Sequence, residues 1–334
     1  MKAAVVGSGG WGTALAQVLC DNGHETVLWS HNPEKAAQME RTRENPLLSG
    51  VKIPDALRVT GDLSCLDGAE LVVSAAPSFA VRDTARKIKP YLTKSSVLVS
   101  VSKGIEPKTC KRMSELLWEE TDGICGIAAL SGPTHAEEVG RRLPTGCVAA
   151  SLSRDIANAV QDAFMNPYFR VYTSYDIVGV ELSAALKNVI ALTCGVCDGL
   201  GYQDNTKALL MTRAMAELTR LGEQLGGSRR TFSGLAGMGD LIVTCTSMHS
   251  RNRRAGILIG QGTPVPDALR QIGAVVEGYY AAESVHQLAA REGVEMPICQ
   301  CAWEVLYQGR DIRGVTEELM GRARKDELLG ATWL

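Results

Sequence analysis

Residues 3–7 form a run of small and β-branched side chains that passes directly into Gly7-Ser-Gly9-Gly10-Trp11-Gly12, and residues 12–22 continue as a helical pattern closed by Gly23. This junction constrains the fold more than any other stretch of the chain. The first glycine of G-x-G-x-x-G permits a tight turn, the second lets the backbone approach a pyrophosphate, and the third lets the helix pack close to the strand. The free N–H groups of the helix start then face the anion. Alone the pattern is weak. Placed between a strand and a helix at the head of an alternating chain, it predicts a dinucleotide site, with a ligand-free glycine turn as the competing reading.

The alternation continues. Residues 25–29 read as a second strand, and residues 33–43 as a helix opened by Asn32-Pro33. Residues 70–75 and 97–101 are further apolar strands, with 126–130 and 147–150 as shorter ones. Such a sequence predicts a mostly parallel sheet with helices on both faces, an α/β Rossmann domain. Beyond about Tyr175 the texture changes. Residues 176–197, 206–225, 251–260, 265–272, 280–291, 299–308 and 311–322 all carry helical patterns, and only 241–243 reads as a strand. The expected organisation is a dinucleotide-binding domain over residues 1–174 and an all-α substrate and catalytic domain over residues 175–334, joined by the long helix itself.

Charge is nearly balanced, at 35 basic and 37 acidic residues, so no positive field covers a face as nucleic-acid binding requires. The N-terminus lacks a signal-length apolar region, and no apolar run approaches a membrane span. Ten cysteines are scattered through apolar settings, which suits a reduced, cytoplasmic protein. The pairs Cys194/Cys197 and Cys299/Cys301 lie far apart, and no metal site is expected from them. A homodimer through the apolar helices of the second half is one expectation; core packing explains those helices equally well.

At the nucleotide end, the second strand closes as Trp29-Ser30-His31-Asn32, without the acid that binds the ribose 2′-hydroxyl of NAD. A 2′-phosphate is then not repelled, so NADPH is expected to be accepted as well as NADH. His31 would stand near the adenine ribose, assisted by Asn32, unless it is an ordinary surface histidine. Trp11 either covers the pyrophosphate or packs in the cleft between domains.

At the reacting end, Lys103 falls just past the carboxyl end of a strand, where open parallel sheets hold ligands. Ser131-Gly132-Pro133-Thr134, running on to Glu137, follows another strand with small residues suited to a closely held substrate. Lys187 sits in an apolar helix, and an ammonium buried there needs a partner, for which Asp240 is the obvious candidate. With a depressed pKa such a lysine can exchange a proton with an alcohol as hydride moves; a side chain snorkelling at a helix edge is the alternative. Ser250-Arg251-Asn252-Arg253-Arg254 opens a helix with Ser250 near its N-cap, a natural anion site. Arg253 and Arg254 are expected to be solvated or structural.

These segments occur in order with Leu186-Lys187-Asn188-Val189-Ile190, Gly237-Met238-Gly239-Asp240-Leu241, Val276-Glu277-Gly278 and Gly293 through Ile298. Together they resemble the NAD(P)-dependent sn-glycerol-3-phosphate dehydrogenases of the bacterial type, over residues 1 to about 327. The resemblance implies reversible reduction of dihydroxyacetone phosphate to sn-glycerol 3-phosphate, feeding glycerophospholipid synthesis. It carries the proton-acceptor role onto Lys187 and substrate binding onto Lys103, Gly132, Thr134, Lys187, Asp240, Ser250, Arg251 and Asn252. Cofactor contacts carry onto Gly10, Trp11, His31, Lys103, Ala136, Arg251, Val275 and Glu277, beside the glycines Gly7, Gly9 and Gly12. In the mechanism this implies, Asp240 and Thr244 orient Lys187, and Lys103 polarises the carbonyl. Gly10 departs from the family, which often has serine there. The nearest rival, a 3-hydroxyacid or phosphogluconate type of dehydrogenase, lacks the pairing of Gly237–Asp240 with Ser250–Arg254. A nucleotide-sensing protein without chemistry would have no need of Lys103, Lys187 and Asp240. Residues 328–334 fall outside the resemblance, as a tail.

Overall fold

The computed structural model describes residues 1–324 and Glu327. Its first half is built on one sheet of eight strands: β1 (Lys2–Val6), β2 (Glu25–Trp29), β3 (Arg58–Thr60), β4 (Leu71–Ser74), β5 (Val97–Ser100), β6 (Gly126–Ser131), β7 (Thr145–Ala150) and β8 (Phe169–Ser174). The spatial order is β3-β2-β1-β4-β5-β6-β7-β8. All neighbours pair parallel except β6 and β7, which run antiparallel.

Between the strands lie α1 (Gly10–Asp21), α2 (Pro33–Thr42), α3 (Val81–Ile88), α4 (Met113–Glu120), α5 (Ala136–Gly140) and α6 (Arg154–Phe164). Leu15 and Leu19 of α1 and Phe164 of α6 pack on one face of the sheet. Val81 and Ile88 of α3 and Leu116 and Leu117 of α4 pack on the other. Strands β1 and β4 are thus covered twice, which is why they read as unbroken apolar runs rather than alternating ones.

The second half is helical: α7 (Ile177–Gly199), α8 (Asp204–Gln224), α9 (Arg229–Phe232), α10 (Asp240–Thr246), α11 (Arg251–Gly260), α12 (Val265–Ile272), α13 (Glu277–Glu292), α14 (Pro297–Gln308) and α15 (Ile312–Met320). Among the described residues α7 alone is long and apolar enough to cross a membrane, but 89% of its apolar window is buried inside the protein. It is the central helix, with α8, α10, α11 and α13 packed around it. A helix apolar all round must be buried somewhere, and here its neighbours bury it.

Where α11 crosses α7 the two backbones touch. A Cβ built on Gly256 would lie 2.0 Å from the Leu192 carbonyl oxygen, and one on Gly195 would lie 2.1 Å from that of Arg253. Only glycine allows this approach, and the approach fixes the start of α11 against the Lys187 turn of α7.

Residues 241–243, read above as a short strand, are helical. They belong to α10, which follows a single wide turn over Leu235–Gly239. Leu241, Thr244 and Cys245 are buried while Ile242 is exposed, the i, i+3, i+4 spacing of a helix face. The strand-like reading came from two β-branched residues in sequence, whose weak local preference the packing overrides. The tail at residues 328–334 lies outside the described residues.

Candidate active site

Lys187 lies midway along α7 and is only 3% exposed. Its Nζ donates to Thr244 Oγ1 at 2.6 Å and to Asn188 Oδ1 at 3.3 Å, and pairs with Asp240 Oδ1 at 3.2 Å. Burial pulls the Lys187 pKa down to about 8; the Asp240 carboxylate resists this, and the nearby Lys103 ammonium adds to it. Thr244 hands its own proton to the Asp240 carbonyl at 2.6 Å, one turn back in α10, so its oxygen is turned to accept from Lys187.

Asp240 is almost wholly buried and serves two ammonium groups. Its Oδ2 accepts from Lys103 Nζ at 2.7 Å. Lys103 follows β5 and also donates to the Gly132 carbonyl at 3.0 Å and Thr134 Oγ1 at 3.4 Å, both in the segment after β6. One carboxylate therefore joins a lysine of the sheet to a lysine of the central helix. The pairing of Asp240 with Lys187 is the one expected from the sequence; Lys103 shares the same carboxylate, a contact that only the fold brings about.

Asn188, next to Lys187 on α7, is buried as well. Its Nδ2 donates to the Lys103 carbonyl at 3.3 Å, and its Oδ1 accepts from Asn252 Nδ2 at 3.0 Å. Asn252 Oδ1 in turn accepts from the Gly278 N–H at 2.9 Å. The two amides thus tie α7, α11 and α13 together beside Lys187. The available signal was the amide itself: a buried Asn must find partners, and on this helix they had to come from neighbouring elements.

Ser250 caps α11, its hydroxyl accepting from Arg253 N at 3.2 Å, while its carbonyl takes Arg254 N at 3.0 Å. The remaining first-turn donors are the N–H groups of Arg251 and Asn252, which have no intrahelical acceptor. Arg251 is exposed at the first position of the helix. Arg253 is bound to Asp198 Oδ2 and the Thr246 carbonyl, both at 2.7 Å, so its work is structural, and Arg254 is exposed.

The glycine loop fits a dinucleotide. Gly7 has φ +126°, and its Cβ would lie 2.6 Å from the Ala75 carbonyl; that of Gly12 would lie 2.0 Å from the Gly7 carbonyl. Gly9, the residue meant to meet a pyrophosphate, has nothing within 4 Å of its Cβ position. The Trp11 indole Nε1 is buried with no partner, a donor left over by the protein alone. Ala136, at the start of α5, lies next to Gly10. A Cβ on Gly10 would come 2.6 Å from the Leu47 carbonyl, so a serine in its place would have to displace that turn.

Glu277, first residue of α13, accepts from Ser78 Oγ at 2.7 Å across to the sheet half, and burial pushes its carboxyl pKa up. It lies near Gly104, the neighbour of Lys103. Val275 precedes it, half-buried, in the loop before α13, and His31 is exposed beyond β2. Lys103, Gly132, Thr134, Lys187, Asp240, Thr244 and Asn252 therefore form one hydrogen-bonded set with Asn188. Arg251, Val275 and His31 stand outside that set.

A glycine loop of dinucleotide-binding type on a mostly parallel sheet, linked through Lys103 and Asp240 to a buried lysine on a helical half, is the architecture of a nicotinamide-dependent dehydrogenase. The family models agree. Residues 2–157 match the NAD-dependent glycerol-3-phosphate dehydrogenase N-terminus, and residues 176–317 match the C-terminus of the same family. The chain is 51% identical over 332 residues to glycerol-3-phosphate dehydrogenase [NAD(P)+] of Moorella thermoacetica, covering 99% of this chain and 98% of that one. Against the enzyme of the same name from Bacillus velezensis the identity is 48%, covering 98% and 96%. The crystal structure of glycerol-3-phosphate dehydrogenase from Coxiella burnetii superposes with a TM-score of 0.92 at 34% identity, covering 96% of this chain and 99% of that one. The chain belongs to the NAD-dependent glycerol-3-phosphate dehydrogenase family.

Proposed function

We propose that this chain reversibly reduces dihydroxyacetone phosphate to sn-glycerol 3-phosphate with NADPH or NADH, and that Lys187 is its acid–base group. The observation that carries this reading is a buried lysine with a pKa near 8 held by Asp240 and Thr244. NAD(P)H, when bound along the glycine loop, supplies the hydride to C2. In reduction the Lys187 ammonium gives a proton to the C2 oxygen as negative charge develops there; in oxidation the neutral amine takes it back. The 3.3 Å contact to Asn188 is the longest that Lys187 Nζ makes, and it is the one a substrate oxygen would replace.

Lys103 adds a second positive charge beside the same carbonyl, while Gly132 and Thr134 hold its ammonium in place. The Ser250–Arg251–Asn252 start of α11 holds the phosphate through the Arg251 and Asn252 N–H groups and the Arg251 guanidinium. Gly7, Gly9, Gly10, Trp11 and Gly12 carry the cofactor's pyrophosphate, with Ala136, Val275 and Glu277 completing the cofactor wall. The reading fails if purified protein does not oxidise NADPH when given dihydroxyacetone phosphate. Within it, Arg251→Ala should raise KM for dihydroxyacetone phosphate about 10- to 100-fold, the worth of a charged hydrogen bond, with a smaller change in kcat. An effect confined to cofactor affinity would remove Arg251 from the phosphate site.

The same reading divides the chain at residues 174/175, between β8 and the capped start of α7, and makes the enzyme cytoplasmic and a supplier of glycerophospholipid synthesis. A homodimer through the helical half belongs to it as well. Leu209 and Met320 are exposed there beside an apolar cavity of about 860 Å³ that contains none of the site residues. Light scattering at assay concentration should give twice the chain mass; a monomer mass would remove the dimer. Limited proteolysis tests the boundary. Cell fractionation tests the location, and a deletion strain that grows without added glycerol would remove the lipid role.

A further inference from the structure

Lys35 is absorbed by none of the roles above. It stands in the first turn of α2, where the Asn32 cap fixes its backbone by accepting from Lys35 N at 3.0 Å. Its side chain folds back over the glycine loop, and Nζ donates to the Ser8 carbonyl at 3.1 Å. No carboxylate among the described residues lies within ion-pair distance of it, and the group is only partly exposed. The protein thus keeps an uncompensated cation on its nucleotide loop.

The place of that cation is specific. Ser8 belongs to the turn between β1 and α1, and its hydroxyl donates to Ser30 Oγ at 2.8 Å, at the end of β2. That is where a dinucleotide fold puts the adenine ribose, and where an NAD-selective site carries its acid. Here Ser30, His31 and Asn32 supply no negative charge. The Ser8 carbonyl does not depend on Lys35, because Asn45 Nδ2 donates to it as well at 3.1 Å. Lys35 is therefore free to exchange a carbonyl for a better acceptor.

We infer that Lys35 is a specificity-determining residue that binds the 2′-phosphate of NADPH. This rests on the cofactor reading above and extends it. A short swing of the ammonium from the Ser8 carbonyl toward the ribose would replace a neutral acceptor by a dianionic one, which is the stronger hydrogen bond. Lys35 would then favour NADPH while contributing nothing to NADH.

Calorimetric titration of the purified protein with 2′,5′-ADP and with 5′-AMP separates the possibilities without turnover. Lys35→Met should weaken 2′,5′-ADP about tenfold, as loss of one charged hydrogen bond does, and leave 5′-AMP within about twofold; Lys35→Arg should retain most of the preference. Equal weakening of both nucleotides would make Lys35 a tether of the loop and overturn the inference, as would no change in either. If the wild-type chain binds neither nucleotide, nor NADH or NADPH, the cofactor reading itself fails, an outcome distinct from the failure of Lys35 alone.

Discussion

Lys187→Met should reduce turnover in both directions by about a thousandfold, within the range that a positioned acid–base group supplies, and leave the fold intact. The geometry separates these two consequences. Methionine fills nearly the same volume as lysine without its charge, and Asp240 keeps Lys103 at 2.7 Å, so no carboxylate is left unpaired in the interior. Removing a buried ammonium that burial already disfavours should keep the melting temperature level or raise it. Near-normal turnover in a folded Lys187→Met protein would disprove the assignment.

The wild-type pH profile carries the same prediction with its sign. Reduction uses the ammonium form, so kcat for dihydroxyacetone phosphate should fall as pH rises through about 8, while oxidation uses the amine and should rise through the same region. Opposite limbs near one pH identify a single group working in both directions. Limbs that moved in the same sense would point to a group other than Lys187.

The parts of this site differ in how far the sequence exposes them. The glycine loop is legible because its function rests on backbone conformation, and glycine records that locally: Gly7 and Gly12 stand where a Cβ would strike a carbonyl. The capped start of α11 is legible for a similar reason, since Ser250 acts on a residue three places away. Lys187 stands out because an ammonium within an apolar helix is anomalous in any fold. Sharing Asp240 with Lys103 is another matter: the two lie 137 positions apart, and only the closure of the helical half onto the carboxyl edge of the sheet brings them together. Asn188 and Asn252 join three helices whose relative placement is set by glycine contacts between α7 and α11, a property of packing rather than of either segment. The edge strand β3, three residues long, and the helix α10, with Ile242 and Val243 in succession, carry too little local pattern to be read without their neighbours.

Asp240→Asn should have the second large effect, and the effect should show in pH dependence as well as in rate. In the wild type one buried carboxylate faces two ammonium groups, at 2.7 Å from Lys103 and 3.2 Å from Lys187. The amide removes that negative charge and leaves both lysines with a neutral acceptor. Lys187, the more deeply buried, then holds its proton less tightly, because the attraction that opposed desolvation is gone while the repulsion from Lys103 remains. The falling limb of the reduction profile should move acid by roughly one to three pH units, the shift a close opposite charge commonly produces. At pH 7 the protonated fraction of Lys187 would fall from about nine-tenths to between about a half and a hundredth, so reduction should drop by about two- to ninetyfold, in step with the lost ammonium fraction. Oxidation should reach its plateau at lower pH and lose less, since the amine is the form it needs. A residue that merely braced α10 would lower activity or stability at every pH without moving either limb. The decisive measurement is therefore kcat against pH for both directions, in wild type and Asp240→Asn, with the folded fraction checked by circular dichroism. An unmoved limb in a folded variant would leave Lys187 poised by burial alone and take Asp240 out of its control.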